Sequence, residues 1–130
     1  MKNVDPKAAR EFLERKEAKA FDANRKLFAR ASRESESIIR MIIDKYAPSR
    51  VYQWGSLFEP ERFTGISDID VAVEGIETAE EFFSLYRDAE LMTSFSLDIV
   101  QMEKIAPEFA DIIRMKGKLV YEREWQSGVA

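Results

Sequence analysis

The sequence contains no cysteine and no histidine. The first absence removes disulfides and thiolate zinc sites. The second removes Ser-His and Cys-His nucleophilic machinery and imidazole-held metals. Catalysis by such a chain must rest on carboxylates, hydroxyls, lysine, arginine or an oxygen-held metal. Glycine and proline are also scarce, and neither occurs between Pro6 and Pro48. No apolar run approaches the roughly 20 residues of a membrane span. The opening MKNVDPKAAR is not a signal peptide. The expectation is a single cytoplasmic domain without a membrane segment, and 45% apolar with 34% charged residues is ordinary for a globular one.

Charge is unevenly spread. Residues 1–50 carry thirteen Lys/Arg against eight Asp/Glu, whereas residues 51–130 carry seven against sixteen. Such asymmetry points to different tasks for the two parts.

The densest chemistry lies in Tyr52 to Val73, YQWGSLFEPERFTGISDIDVAV. A short apolar strand, Val51 to Trp54, runs into Gly55-Ser56. A loop over 57–67 follows, with Phe58, Pro60, Phe63 and Gly65 and with Arg62 as its only cation. The aromatics read as loop anchors, and Arg62 as a partner of Glu59 or Glu61 or of a triphosphate. A strand-like stretch from Ile66 to Val73 then contains Asp68 and Asp70. Alternation puts both carboxylates on one face, roughly 6–7 Å apart. Their repulsion is about 2–3 kcal/mol at an effective dielectric near 20, a cost that a cation would relieve. An all-oxygen site of this kind suits Mg²⁺ or Mn²⁺. Gly55 allows a tight turn and close backbone approach, and Ser56 offers a hydroxyl beside backbone N–H groups that could hold a terminal phosphate.

Gly-Ser, eleven residues, then Asp-Ile-Asp-Val resembles the signature of the polymerase beta-like nucleotidyltransferase superfamily. The short chain is similar to the minimal nucleotidyltransferases, many of which are antitoxins paired with HEPN-domain toxins. The resemblance covers about Val51 to Glu122. The spacer is one residue longer than the commonest form, and Leu57-Phe58 stands where an arginine often follows Gly-Ser. The resemblance implies an α+β fold: a small mixed sheet of the polymerase beta palm type packed with helices, preceded by a long N-terminal helix or helix pair. It implies catalytic and metal-holding roles for Asp68 and Asp70, with Gly55 and Ser56 on the phosphates of ATP. A third carboxylate is expected on a neighbouring strand. Asp98, within the apolar run Phe95 to Val100, is the candidate. The implied activity is transfer of AMP to a hydroxyl, on a partner protein such as a HEPN toxin. An antitoxin that only occludes its partner is the rival reading, and a purely structural cation site a third.

The remaining elements follow from periodicity. Asp5-Pro6 starts a helix, and apolar residues keep helical spacing as far as Tyr46. Asp22 and Asn24 leave open whether residues 6–46 form one helix or two. Glu34 to Tyr46 should pack on the sheet. Residues 6–30 read as a solvated cap, or as an arm docking on a partner or on a second copy. Interleaved acids argue against nucleic-acid binding there. Thr78 to Leu91 reads as an amphipathic helix opened by a Thr78/Glu81 capping box. Pro107 opens a helix ended by Gly117, and Leu119 to Tyr121 is a last strand. The expected layout is a helical segment over 1–46, a core over 47–122 and a loose tail over 123–130.

Overall fold

The computed structural model describes residues 5–55 and 67–124. Helix α1, Pro6–Tyr46, is one unbroken element of 41 residues, about 60 Å long. Asp5 caps it by accepting from the Lys7 N–H at 3.1 Å. Neither Asp22 nor Asn24 breaks it. Each costs only about 0.5 kcal/mol of helix propensity, and no glycine or proline accompanies them. Ala47 ends the helix in the left-handed region at φ 49, its N–H reaching the Ile43 carbonyl. Pro48 blocks a further turn.

Strands β1 (Arg50–Trp54), β2 (Ile69–Glu74), β3 (Leu97–Gln101) and β4 (Lys118–Glu122) form one sheet in the order β3-β2-β1-β4. β1 runs antiparallel to both β2 and β4, whereas β2 and β3 are parallel. Helix α2 (Ala79–Glu90) makes the crossover between that parallel pair, and α3 (Pro107–Lys116) leads into β4. The fold is α+β, with the small mixed sheet that the motif implied and the long N-terminal helix that the apolar periodicity implied.

β2 starts later than alternation suggests. Ser67 and Asp68 precede it, and the first rung is the Ile69 N–H donating to the Ser96 carbonyl at 2.8 Å. Aspartate is a poor strand former, and Asp68 is exposed, where water screens its charge. The strand therefore takes in Asp70 and leaves Asp68 just ahead of its first rung. At the expected capping box, Thr78 Oγ1 accepts from the Glu81 N–H at 3.1 Å. Ser56 and the loop residues Phe58, Pro60, Arg62, Phe63 and Gly65 lie outside the described residues, as do residues 125–130 of the expected tail.

The sheet separates two apolar layers. On one face, Ile38 and Ile42 of α1 and Leu85 and Ala89 of α2 close over Val51, Ile69, Val71 and Val73. On the other, α3 lays Ala110 and Ile113 over Tyr52, Ala72 and Met102. Arg50 and Arg114 both bond Glu74 where β2 ends, tying α3 to the strands there. The burial of α1 stops short of its N-terminus. Ala31, Ser35, Ile38, Ile39 and Ile42 are buried, while Phe12, Leu13 and Phe21 are 59%, 55% and 59% exposed.

This division predicts unequal mutational costs along one helix. Ile38→Ala should destabilise by about 2–4 kcal/mol, the range for emptying a packed core site. Leu13→Ala should cost less than about 0.5 kcal/mol. Urea unfolding of each variant at concentrations low enough to suppress association measures both.

Candidate active site

Parallel pairing of β2 with β3 sets Asp70 directly against Asp98. Antiparallel pairing of β1 with β2 sets Trp54 against Asp70. Residues opposite one another share a sheet face, and here it is the face covered by α3, because Ala72, Val100 and Tyr52 of the same parity pack there. Asp68 adjoins from just ahead of β2. Asp70 and Asp98 thus face each other where β2 and β3 begin and β1 ends, with Asp68 just ahead of β2.

Asp70 is 8% exposed, whereas Asp68 lies in solvent and Asp98 is half-buried. Burial first, then Asp68, then Asp98 raise the Asp70 carboxyl from 3.8 to about 7. The motif's spacing suggests a cost from repulsion within the Asp68–Asp70 pair; the fold makes desolvation the larger contribution. Among the described residues the ion pairs engage Glu34, Asp88, Glu74, Asp111 and Glu122, and none reaches these three carboxylates.

Gly55 follows Trp54 with φ +82 and lies against the Asp70 carboxylate. A Cβ there would fall within contact distance of Asp70 Oδ2 and 2.9 Å from Cγ. Glycine is thus required twice, for the positive φ and for the space beside the carboxylate. Ser56, the other expected phosphate ligand, lies outside the described residues. Among those residues no group of three acidic side chains is drawn together as a finished metal cage. The chemistry of the donor set nevertheless fits a hard cation: carboxylate oxygens only, one of them buried, with no arginine or lysine paired to them among the described residues.

Two further residues border the site. Trp54 packs edge-on against Phe109 of α3 at 5.4 Å between ring centroids, and its indole Nε1 is buried with no hydrogen-bond partner among the described residues. The Tyr86 hydroxyl of α2 donates to the Leu97 carbonyl at 2.6 Å, one residue before Asp98. Burial foremost, with help from Asp98, Glu90 and Asp68, keeps that phenol protonated above its usual range. Position next to Gly55 could have flagged Trp54. Nothing local flags Tyr86, whose place depends on how α2 docks.

A family model described as "Polymerase beta, Nucleotidyltransferase" matches residues 36–126. No curated protein matches the sequence. Three solved structures share the fold. A toxin–antitoxin crystallised with AMP-PNP has a TM-score of 0.56 at 18% identity, covering 68% of this chain and 74% of that one. The toxin–antitoxin MntA-HepT gives 0.54 at 17% identity, covering 71% and 73%. A mutant of the toxin–antitoxin MntA-HpeT with two aspartates changed to glutamate gives 0.57 at 17% identity, covering 69% and 74%.

The raised Asp70 carboxyl has a stability consequence of defined sign. Below about pH 4 the group is protonated in folded and unfolded chains alike and costs nothing. As pH rises from about 4 to about 7 the unfolded chain releases the proton while the folded chain retains it, so stability falls; above about 7 the loss is complete. In EDTA, Asp70→Asn should melt higher than the parent protein, with a gap that grows from about pH 4 to about pH 7 and then levels off. Differential scanning fluorimetry across that range reads it, and a gap independent of pH would contradict the assignment. Gly55→Ala should destabilise by about 1–2 kcal/mol through backbone strain alone, and more once Asp70 is displaced; chemical denaturation measures it.

Proposed function

The chain belongs to the polymerase beta nucleotidyltransferase family, and from that premise we propose that it transfers AMP from ATP to a hydroxyl on a partner protein, such as a HEPN-type toxin. The observation that carries this reading is the register of Asp70 against Asp98, with Gly55 packed on the Asp70 carboxylate. Asp68, Asp70 and Asp98 would hold Mg²⁺, with Mn²⁺ as a substitute. When bound, such an ion neutralises triphosphate charge and lowers the pKa of an acceptor hydroxyl.

The protein's own groups have separable tasks in this proposal. The backbone at Gly55 comes close enough to a ligand for its N–H, with Ser56, to bind the β- and γ-phosphates. The acceptor oxygen attacks the α-phosphorus, the bond from that phosphorus to the bridging oxygen of the β-phosphate breaks, and pyrophosphate leaves. The acceptor's proton passes to an Asp98 carboxylate oxygen, the base available in a chain without histidine. Trp54 and Phe109 wall the α3 side of the site. The resemblance to toxin–antitoxin structures, one of them with AMP-PNP, supports a nucleotide donor and a protein partner.

Incubating the protein with Mg²⁺ and ATP radiolabelled on its α-phosphate, with and without lysate from its source, tests the reading on a denaturing gel. A labelled band is expected, reduced roughly 100-fold by Asp70→Asn or Asp98→Asn. Binding of ATP with no transfer to any acceptor would favour an antitoxin that acts by occlusion. Undiminished labelling by Asp70→Asn would remove the carboxylates from the mechanism.

A further inference from the structure

Strand β3 is an edge of the sheet and pairs on one side only, with β2. Successive residues of a strand turn their N–H and C=O groups to opposite edges. The Ser96 carbonyl accepts from the Ile69 N–H and the Met102 N–H donates to the Val73 carbonyl, both at 2.8 Å. Even-numbered residues of this stretch thus bond toward β2. Leu97 and Ile99, on either side of Asp98, turn their backbone groups outward. Edge residues ordinarily leave such groups unpaired. Here one side chain meets both. The Tyr86 hydroxyl donates to the Leu97 carbonyl at 2.6 Å and takes a hydrogen bond from the Ile99 backbone, one donation and one acceptance, as a phenol allows. It stands where a further strand would be, at the residue paired with Asp70.

The hydroxyl reaches this edge from the opposite side of the sheet. The Tyr86 ring belongs to the layer of α1 and α2, edge-on to Phe82 with centroids 5.9 Å apart. Asp70 and Asp98 stand on the face of α3. Among the described residues the hydroxyl bonds backbone alone, so its influence on Asp98 runs through the strand. What it opposes is specific. Like charges directly opposite one another on adjacent strands repel, and the repulsion is relieved if the start of β3 swings away from β2. With five residues and one neighbouring strand, β3 opens most easily at that end. We propose that Tyr86 is a positioning residue: its hydroxyl clamps the backbone on both sides of Asp98 and keeps that carboxylate opposite Asp70, where both can hold one divalent cation. That role in metal binding rests on the nucleotidyl-transfer reading, whereas the hold on β3 stands without it.

Tyr86→Phe keeps the ring in its packing and removes both bonds. Tyr46→Phe is its control, because the Tyr46 hydroxyl bonds Ser84 and Asp88 of the same helix, at 2.8 and 2.6 Å, rather than β3. Both substitutions should lower the melting temperature, by roughly 3–6 °C. Only Tyr86→Phe should weaken Mn²⁺ binding, by about 10-fold in a titration that follows the free ion by electron paramagnetic resonance. In amide exchange of the metal-free protein, read by NMR, it should speed the Ile69 proton, which bonds Ser96 at the start of β3. The gain should be at least about 10-fold relative to the Met102 proton at the other end of the strand. In the transfer assay, kcat should fall about 10-fold and KM for ATP should change less than about 2-fold. Either Mn²⁺ affinity or the Ile69-to-Met102 ratio unchanged in Tyr86→Phe overturns the proposal. So does an equal loss of affinity in Tyr46→Phe, the mark of a merely structural role, or a parent protein that binds no Mn²⁺. A parent that binds Mn²⁺ and transfers nothing defeats the transfer reading alone, because the affinity and exchange measurements still decide the role of Tyr86.

Discussion

The placement of Asp70 against Asp98 is the constraint on which the rest of the body turns. Two carboxylates facing each other on adjacent strands, one of them buried, oppose folding. The chain surrounds them with compensations that lie elsewhere. Residues of alternate parity on β2 are fully buried against α1 and α2, so the strand cannot slip by one residue without turning its apolar set outward. At the far end of β2, Glu74 is held by Arg50 and Arg114. Among the described residues, arginines pair with Glu74 at that end, and no ion pair reaches the carboxylates at the other.

What could be read beforehand follows the range of the interactions. Helix starts at Pro6 and Pro107, the Thr78 cap and the tight turn at Gly55 depend on a few adjacent residues, and local sequence sufficed for them. The strand containing Asp98 was likewise legible from its apolar flanks. Its neighbour came from the family resemblance, and the register did not, because nothing local states that β3 lies parallel to β2 with Asp98 aligned to Asp70. The same limit hid Trp54 and Tyr86, whose relation to the site arises from docking of α3 and α2. Asp68 falls outside β2 for a different reason: the expected strand runs on paper from Ile66 through both aspartates, but the ladder begins at Ile69, just past the exposed Asp68.

The continuity of α1 is also a balance of magnitudes. Asp22 and Asn24 weaken the helix by about half a kilocalorie each, and an isolated segment of that composition could fray. It is anchored downstream by five buried residues, and Arg30 clasps the body at its exit, bonding Ser94 at 2.6 Å and lying 4.7 Å over the Phe95 ring. Helix propagation from an existing nucleus is far less costly than a new start. A helix seeded on the sheet therefore extends through weak positions that would not initiate one.

Sidedness separates the long helix from the chemistry. The carboxylates lie on the sheet face covered by α3, whereas α1 packs on the opposite face together with α2. The helix leaves the body at Arg30, beside Ser94 and Phe95, in the turn that leads into the strand of Asp98. Residues that anchor α1 therefore stabilise the strands from behind, and they do so without occupying the face on which Asp70 and Asp98 stand opposite one another. The same division runs through the charges: the basic residues cluster ahead of residue 51, and the acidic part of the chain carries the site.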